Sequence, residues 1–133
     1  MFFDNDVCTL SNQIMDIIKT ATITSFRVYT AEDVGLTASL QLMIEGLACE
    51  FGGHNLFISL PEDYTYVGHF IFKCLETVGV TETKELIGKE IKCRIVDDRV
   101  VGIGDMEFSR WFYPITDFEL IESDKFQEDG IPD

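Results

Sequence analysis

The chain has 133 residues with 24 acidic and 10 basic side chains, which gives a formal net charge of −14. Its hydrophobic content of 46% excludes a chain that is disordered throughout, because such chains are poor in apolar residues. A surface this negative repels phosphate and anionic lipid, so direct nucleic-acid or membrane binding is disfavoured and a basic partner is expected. The length predicts a single domain over 1–120, followed by an acidic, flexible tail at 121–133.

The first half of the chain predicts one helix followed by strands. Apolar residues at helical spacing predict a helix over 10–19. β-Branched and aromatic residues over 22–30, and strict alternation of apolar and polar residues over 36–45, predict an antiparallel hairpin. The apolar segments 47–51 and 56–60 are interpreted as two shorter strands.

The second half predicts a second helix and a second hairpin. In chain order, the predicted elements are a helix over 66–78, a helical turn over 81–87, strands over 91–96 and 99–104, and an irregular aromatic segment over 108–118. Asp97 and Asp98 form the turn of the hairpin, since aspartate tolerates positive φ better than most residues. The predicted fold class is α+β, a mostly antiparallel sheet with two helices packed on one face.

The apolar positions of these elements define a predicted core. It contains Ile14, Ile17, Leu40, Leu42, Ile44, Ile71, Leu75, Val78, Ile91 and Ile95. The four cysteines, Cys8, Cys49, Cys74 and Cys93, form no CxxC pair and are predicted to be free thiols in the cytoplasm. The first residues do not resemble a signal peptide, and no segment is apolar enough for a membrane helix.

No motif of specific catalytic, metal-binding or nucleotide-binding chemistry is present, so we predict that the protein is not an enzyme and has no cofactor. Cys49 and His54 are too weakly patterned for a zinc site or a nucleophilic pair. Gly102 and Gly104 do not follow the pattern of a phosphate loop and are interpreted as a strand bulge or tight turn.

Acidic pairs in the predicted turns are the candidate contacts for a basic partner. They are Glu32, Asp33, Glu62 and Asp63. Such residues are common in turns because they form local hydrogen bonds. The alternative is therefore that the negative charge serves solubility alone.

Basic residues concentrate between positions 84 and 110, where six bases balance six acids. The candidates for a phosphate or ligand site are Lys92, Arg94, Arg99, Arg110 and the neighbouring Trp111. Ion pairing within the segment is the favoured interpretation, and a pocket for a phosphorylated small molecule is the alternative. The Trp111 cluster is interpreted either as core or as a binding anchor.

Five segments together resemble a family of small uncharacterised proteins encoded by bacteriophages and prophages. They are GLACEFGG (46–53), CLETVGV (74–80), LIGKEIKCRI (86–95), VVGIGD (100–105) and RWFYPITDF (110–118). The resemblance rests on a Gly-Phe-Gly-Gly-like turn, a helix ending in Val-Gly-Val and a Trp-Phe-x-Pro-like motif in the same order. It implies a phage context, in which small acidic proteins often act as accessory factors, but it carries over no catalytic residues.

Three binding functions follow as hypotheses. The first is a phage accessory protein in the cytoplasm of an infected bacterium, whose acidic surface blocks the basic site of a host protein or nucleoprotein complex and so inhibits a defence system. The second is a sponge that sequesters a nucleotide immune signal. The third is a single-stranded nucleic-acid-binding module, because a small antiparallel sheet with an intervening helix can form a barrel. A homo-oligomer is compatible with each hypothesis.

Overall fold

The computed structural model describes residues 15–61 and 64–130, with side chains to residue 124. In chain order the elements are β1 (Asp16–Ala31), β2 (Gly35–Ile44), β3 (Leu47–Gly52), the one-turn helix α1 (His54–Phe57), α2 (Tyr64–Val78), a 3-10 turn (Thr83–Leu86), β4 (Glu90–Val96), β5 (Arg99–Gly104), β6 (Trp111–Phe112) and α3 (Pro114–Gly130). None of the described helices has the length and apolar character needed to cross a membrane.

All neighbouring strands in the sheet are antiparallel, in the order β3-β2-β1-β4-β5-β6. The first strand has 16 residues and is shared between two partners: its first half pairs with β4 and its second half with β2. The pairing with β2 slips between Ile23 and Ser25. A bulge of this kind bends a strand and increases its twist, which lets one long strand serve both halves of a rolled sheet.

The rolled sheet is an open barrel. Although β2, β1 and β4 separate them in the sheet order, β3 and β5 lie in contact with each other. The chain therefore runs through three strands, a helix and two strands, with β1 between β2 and β4 and with β3 meeting β5. This is the connectivity of the five-stranded OB-type barrel, to which β6 adds a short edge.

Aromatic rings fill the barrel and join it to the helices. The buried rings are Phe51, Phe57, Tyr66, Phe70, Phe112 and Phe118. Adjacent centroids in this cluster are 5.2–6.0 Å apart, as in other tilted or edge-to-face pairs. Each fully buried ring contributes roughly 1.5–3 kcal/mol through the apolar area removed from water. Helices α2 and α3 both contribute to this cluster, so they pack on the same face of the sheet.

Most of the predicted framework is confirmed. The fold is α+β with an antiparallel sheet and two main helices, and the strands predicted over 22–30, 36–45, 91–96 and 99–104 are present, as is the helix over 66–78. The Asp97-Asp98 turn is confirmed, with φ values of 51° and 66°. Of the predicted core, Leu40, Leu42, Ile44 and Ile91 are buried, and Ile71, Leu75, Val78 and Ile95 pack against it partly buried.

The helix predicted over 10–19 is wrong where the structure describes it, because Asp16–Ala31 is a strand. Two adjacent isoleucines fit a helical stripe, but their branched side chains also fit a strand, and pairing with β4 decides the outcome. Ile17 is 37% exposed and does not belong to the core. Residues 10–14, including Ile14, lie outside the described residues.

Two further expectations are corrected. Residues 56–60 form no strand, since α1 and a following turn occupy this region. The segment 108–118 is more regular than predicted, because it contains β6 and the start of α3. Helix α3 begins at Pro114. Proline is tolerated there because a backbone N–H at the first helical position has no partner within the helix. Helix α3 spans residue 120, and the division of the chain into a domain over 1–120 and a tail over 121–133 stays a prediction.

The described cysteines are Cys49, Cys74 and Cys93, and all three are free thiols. Burial raises the pKa of the Cys74 thiol far above its usual value and that of Cys93 to about 11. Both therefore remain protonated and unreactive at neutral pH. Cys8 lies outside the described residues.

Candidate functional site

The outer face of β4 and β5 combines two cations with two glycines. On the inner face, Ile91 and Cys93 are buried in the core. Because side chains alternate along a strand, Lys92 and Arg94 project from the opposite, outer face. Their register partners on β5 are Gly104 and Gly102, respectively. The outer face therefore has cationic side chains on one strand and no side chain on the next.

Two aromatic rings occupy the space that these glycines leave. An added Cβ at Gly104 would lie 2.7 Å from Cδ2 of the Trp111 ring, and one at Gly102 would clash with the ring of Tyr113. The two rings are nearly parallel, at 10°, with centroids 5.8 Å apart. Glycine is thus required for close approach, since it lets the rings rest directly on the strand.

The loop between β5 and β6 adds a third ring, that of Phe108. The Asp105 carboxylate accepts hydrogen bonds from the backbone N–H groups of Ser109 (2.7 Å) and Arg110 (3.1 Å) and from the Ser109 hydroxyl. These bonds lower the pKa of Asp105 and fix the loop. Phe108 takes a φ of 61°, which is unusual for a bulky residue, and its side chain is 52% exposed. The loop therefore holds an aromatic ring in solvent at a cost in backbone energy.

Both cations contact these rings. The Nζ of Lys92 is 5.5 Å from the Phe108 centroid and donates to the hydroxyl of Thr20 at 2.9 Å. The guanidinium of Arg94 is 5.9 Å from the Tyr113 centroid, within the range of a cation–π contact. We call the set Lys92, Arg94, Phe108, Trp111 and Tyr113 the aromatic face.

One carboxylate already occupies Arg94. Asp16 accepts hydrogen bonds from Nε (2.9 Å) and Nη2 (2.6 Å) of this guanidinium, in the two-pronged geometry that also suits a phosphate. The pairing lowers the pKa of Asp16 and raises that of Arg94, in both cases through this hydrogen bond first. Both side chains are about 40% exposed, so an incoming anion can compete with Asp16.

The other two predicted cations lie elsewhere. Arg110 alternates to the opposite side of β6 from Trp111: its Nη2 approaches Gly79 at the end of α2, and its Nε is 3.9 Å from Asp105. Arg99 begins β5 beside the Asp97-Asp98 turn and lines a separate cleft. The structure therefore unites Lys92, Arg94 and Trp111 but not the remaining two.

The predicted acidic contacts do not form one described cluster. Glu32 and Asp33 lie in the turn between β1 and β2. Asp33 is engaged by His54, whose Nε2 lies 3.0 Å from a carboxylate oxygen, and this bond lowers the pKa of Asp33 and raises that of His54. Glu62 and Asp63 lie outside the described residues.

A cleft of about 340 Å³ lies between β3, the start of β5 and the start of α3. Its walls include Cys49, Glu50, Phe51, Arg99 and Ile115. Within residues 15–61 and 64–130, no group of three His, Cys, Asp or Glu side chains is arranged to hold a metal ion. The walls combine two acids, Glu50 and Asp98, and one base, Arg99, with apolar groups.

Sequence reasoning missed two parts of the aromatic face. Gly102 and Gly104 were interpreted as a bulge or turn, whereas they support the rings. Asp16 was assigned to a helix and so was not connected with Arg94. The alternation of Lys92 and Arg94 with buried residues, followed by a Gly-Ile-Gly strand and an alternating Trp-Phe-Tyr segment, is the signal that points to this face.

No protein-family model, curated protein or solved structure matches this chain. The function is therefore inferred from the geometry of the aromatic face and from the barrel that carries it.

Proposed function

We propose that this protein binds single-stranded nucleic acid at the aromatic face. The observation that carries the proposal is the parallel pair of rings, Trp111 and Tyr113, resting on glycines beside Lys92 and Arg94. Aromatic platforms beside cations, on the outside of a small barrel, are the means by which such barrels hold unpaired strands.

The rings of the aromatic face suit base stacking, and its two cations suit phosphate contact. Every base has a flat face, so stacking on an aromatic side chain is worth roughly 1–3 kcal/mol per base and tolerates any sequence. The half-exposed Phe108 ring extends the platform beyond Trp111, with centroids 6.0 Å apart. Lys92 and Arg94 would bind the backbone phosphates between stacked bases. A duplex is disfavoured as ligand because its bases are already stacked on each other.

The net charge of −14 does not contradict this proposal, because charge acts locally. At physiological salt the field of an exposed charge decays over about 8 Å. Residues 84–110 hold six acids and six bases, so the segment that carries both cations is neutral on balance. The remaining acids lower affinity without preventing contact. Binding should weaken as salt rises, but only moderately, because salt dependence grows with the number of phosphates neutralised and this face offers two cations.

Two other hypotheses give different outcomes in the same experiment. A sponge for a nucleotide signal would use the same rings but would bind a single nucleotide as tightly as a longer strand. An inhibitor that blocks a basic protein through its acidic surface would bind neither ligand. The spacing of two parallel rings favours a strand, since it offers stacking to more than one base.

The test is fluorescence anisotropy with a labelled oligothymidylate of about sixteen nucleotides, the upper end of the site sizes known for single OB barrels. Trp111→Ala should weaken binding by about 5- to 150-fold, the equivalent of 1–3 kcal/mol. The control is Phe72→Ala, which removes an aromatic ring from α2 that is 58% accessible, whereas the Trp111 ring is partly buried.

Lys92→Ala and Lys84→Ala form a second matched pair. Each removes one positive charge, but Lys84 is 79% exposed on the 3-10 turn and pairs only with Glu82 among the described residues. Lys92→Ala should weaken binding and Lys84→Ala should leave it nearly unchanged. Equal effects within either pair, or no binding of the oligonucleotide by the wild type, would overturn the proposal.

A further inference from the structure

A second cation–aromatic pair lies on the same outer surface, near the other end of β1. The guanidinium carbon of Arg27 is 4.4 Å from the centroid of the Tyr29 ring. We infer that Arg27 and Tyr29 form a second nucleotide subsite, which holds a distant part of the same single strand that the aromatic face binds. This inference rests on the proposed function.

The register places both sites on one face. Ala21 and Ile23 of β1 are buried, so Thr20, which pairs with Lys92, points outward. The slip after Ile23 shifts the alternation by one residue. Beyond it, Arg27 and Tyr29 also point outward.

The pairing of β1 with β2 independently places Arg27 and Tyr29 on the outer face. Arg27 lies opposite Ser39 and Tyr29 opposite Thr37. The flanking β2 residues Ala38 and Leu40 belong to the core, so Ser39 and Thr37 lie on the opposite face of the sheet, where they are fully covered by their neighbours. Arg27 and Tyr29 therefore share the outer face of the barrel with Lys92.

Arg27 and Arg94 differ in their described acidic neighbours. Among the described residues, no carboxylate forms an ion pair with Arg27, whereas Asp16 holds Arg94. A guanidinium stacked on a ring presents its N–H groups at the edge of the stack, where a phosphate can accept two hydrogen bonds. The ring of Tyr29 is half-buried and braces the guanidinium, so less side-chain freedom is lost on binding.

The distance between the subsites sets the length of ligand that can reach both. Thr20 and Arg27 are seven residues apart on β1, which corresponds to roughly 23 Å along a straight strand. The outward residues of β1 between them, Thr22 and Ser25, are neutral and small, so they leave a track for the ligand, which passes the exposed Glu90 opposite Thr22. At about 3.4 Å per stacked nucleotide, the track corresponds to roughly seven nucleotides. A shorter strand can occupy only one subsite.

The experiment compares two ligand lengths, about four and about sixteen thymidylates, the two ends of the range of site sizes for single barrels. Arg27→Ala should weaken binding of the longer strand about tenfold and leave the shorter strand, held at the aromatic face, within about twofold of wild type. Arg27→Lys should restore only part of the loss, because an ammonium lacks the planar fork. Arg99→Ala is the matched control, since it removes one exposed positive charge that lines the cleft instead.

The outcomes separate this inference from the proposed function. If the wild type binds neither length, the proposed function fails and this inference fails with it. If the wild type binds both lengths and Arg27→Ala changes neither affinity, or changes both equally, only the second subsite is overturned. Thermal melts of each variant check that the barrel is folded, and Tyr29→Phe, which keeps the stack, should bind like the wild type.

Discussion

The aromatic face and helix α3 are close in sequence and opposite in chemical character. The face combines three rings with Lys92 and Arg94. Helix α3 carries six acids, Asp117, Glu119, Glu122, Asp124, Glu128 and Asp129, against one base, Lys125. Net charge, averaged over the whole chain, therefore does not describe the surface that a ligand meets.

The aromatic face and helix α3 also differ in the side chains and backbone conformations that they expose to solvent. The aromatic face keeps costly features, including a bulky residue at positive φ and rings in contact with solvent. Helix α3 buries Phe118 in the core and exposes Glu119 and Glu122, and although Ile115 and Leu120 are exposed as well, its described backbone shows no positive φ. Strained and apolar features concentrated at one place are the better indicators of a binding site.

The largest effect is expected from a substitution in β5 beneath the rings of the aromatic face. Gly104→Ala places a Cβ within 2.7 Å of the Trp111 ring, which must move. We expect a destabilisation of about 1–3 kcal/mol from overpacking. Oligothymidylate affinity should fall along with it. Chemical denaturation and anisotropy measure the two quantities.

Gly68→Ala is the matched control for that substitution. An added Cβ at Gly68, in the middle of α2, meets nothing within 4 Å. Alanine should therefore stabilise the helix by about 0.5–1 kcal/mol and leave binding unchanged. If both variants had the same stability and affinity, the close contact between Gly104 and Trp111 would not be important.

The second effect concerns the acid that competes for Arg94. Asp16→Asn removes the carboxylate from the guanidinium and leaves its N–H groups free for phosphate. Since an exposed pair is worth about 0–1 kcal/mol, affinity for the oligonucleotide should rise about two- to fivefold. Glu82→Gln, which makes the same charge change at the 3-10 turn, should have less effect. Weaker binding by Asp16→Asn would mean that Asp16 positions Arg94 instead of competing with the ligand.

A smaller effect is expected from helix α3. Replacing Glu119 and Glu122 with glutamine removes two negative charges from the chain outside the aromatic face. Affinity at low salt should rise by less than about twofold per charge, and the gain should vanish near 0.5 M salt, where screening is nearly complete. A gain that persists at high salt would indicate direct contact between this helix and the ligand.

The smallest effect is a pH dependence of stability from His54 and Asp33. Their bond raises the pKa of His54 above 6.5 and lowers that of Asp33 below 3.8. The His54 contribution is therefore complete below its unfolded pKa and is lost as pH rises through the folded pKa. The Asp33 contribution is present above its unfolded pKa and is lost as pH falls through the folded pKa.

Together these directions place the greatest stabilisation between about pH 4 and 6.5. The difference in melting temperature between wild type and His54→Gln should be largest near pH 5 and should disappear near pH 8. Both groups are largely solvated, so the difference should be small. A difference that is constant with pH would contradict the role of this bond.

The sequence predicts the parts of this fold that depend on local pattern. Leu40, Leu42 and Ile44 alternate with polar residues, and their burial follows directly from that period. Asp16 and Ile17 were misassigned because two adjacent isoleucines fit both periods, and only the pairing with β4 selects the strand. Local pattern therefore fails where a distant strand decides the structure.

The candidate site illustrates the same limit. Lys92, Arg94 and Trp111 were predicted as possible ligand contacts, and the structure brings them to one face. Their arrangement depends on a two-residue strand, β6, and on glycines that accept rings from it. Both patterns are visible in the sequence, but only the pairing of β6 with β5 shows that the rings lie over the glycines. The contact between β3 and β5 that closes the barrel is likewise non-local.

The most direct test uses the fluorescence of Trp111, which is the single tryptophan in the chain. Bases that stack on its ring should quench the emission, so titration with oligothymidylate at low salt should reduce the signal along a saturable curve. The same titration with a duplex of equal length should give little change. Unchanged tryptophan emission under binding conditions, or equal quenching by duplex and single strand, would contradict the account.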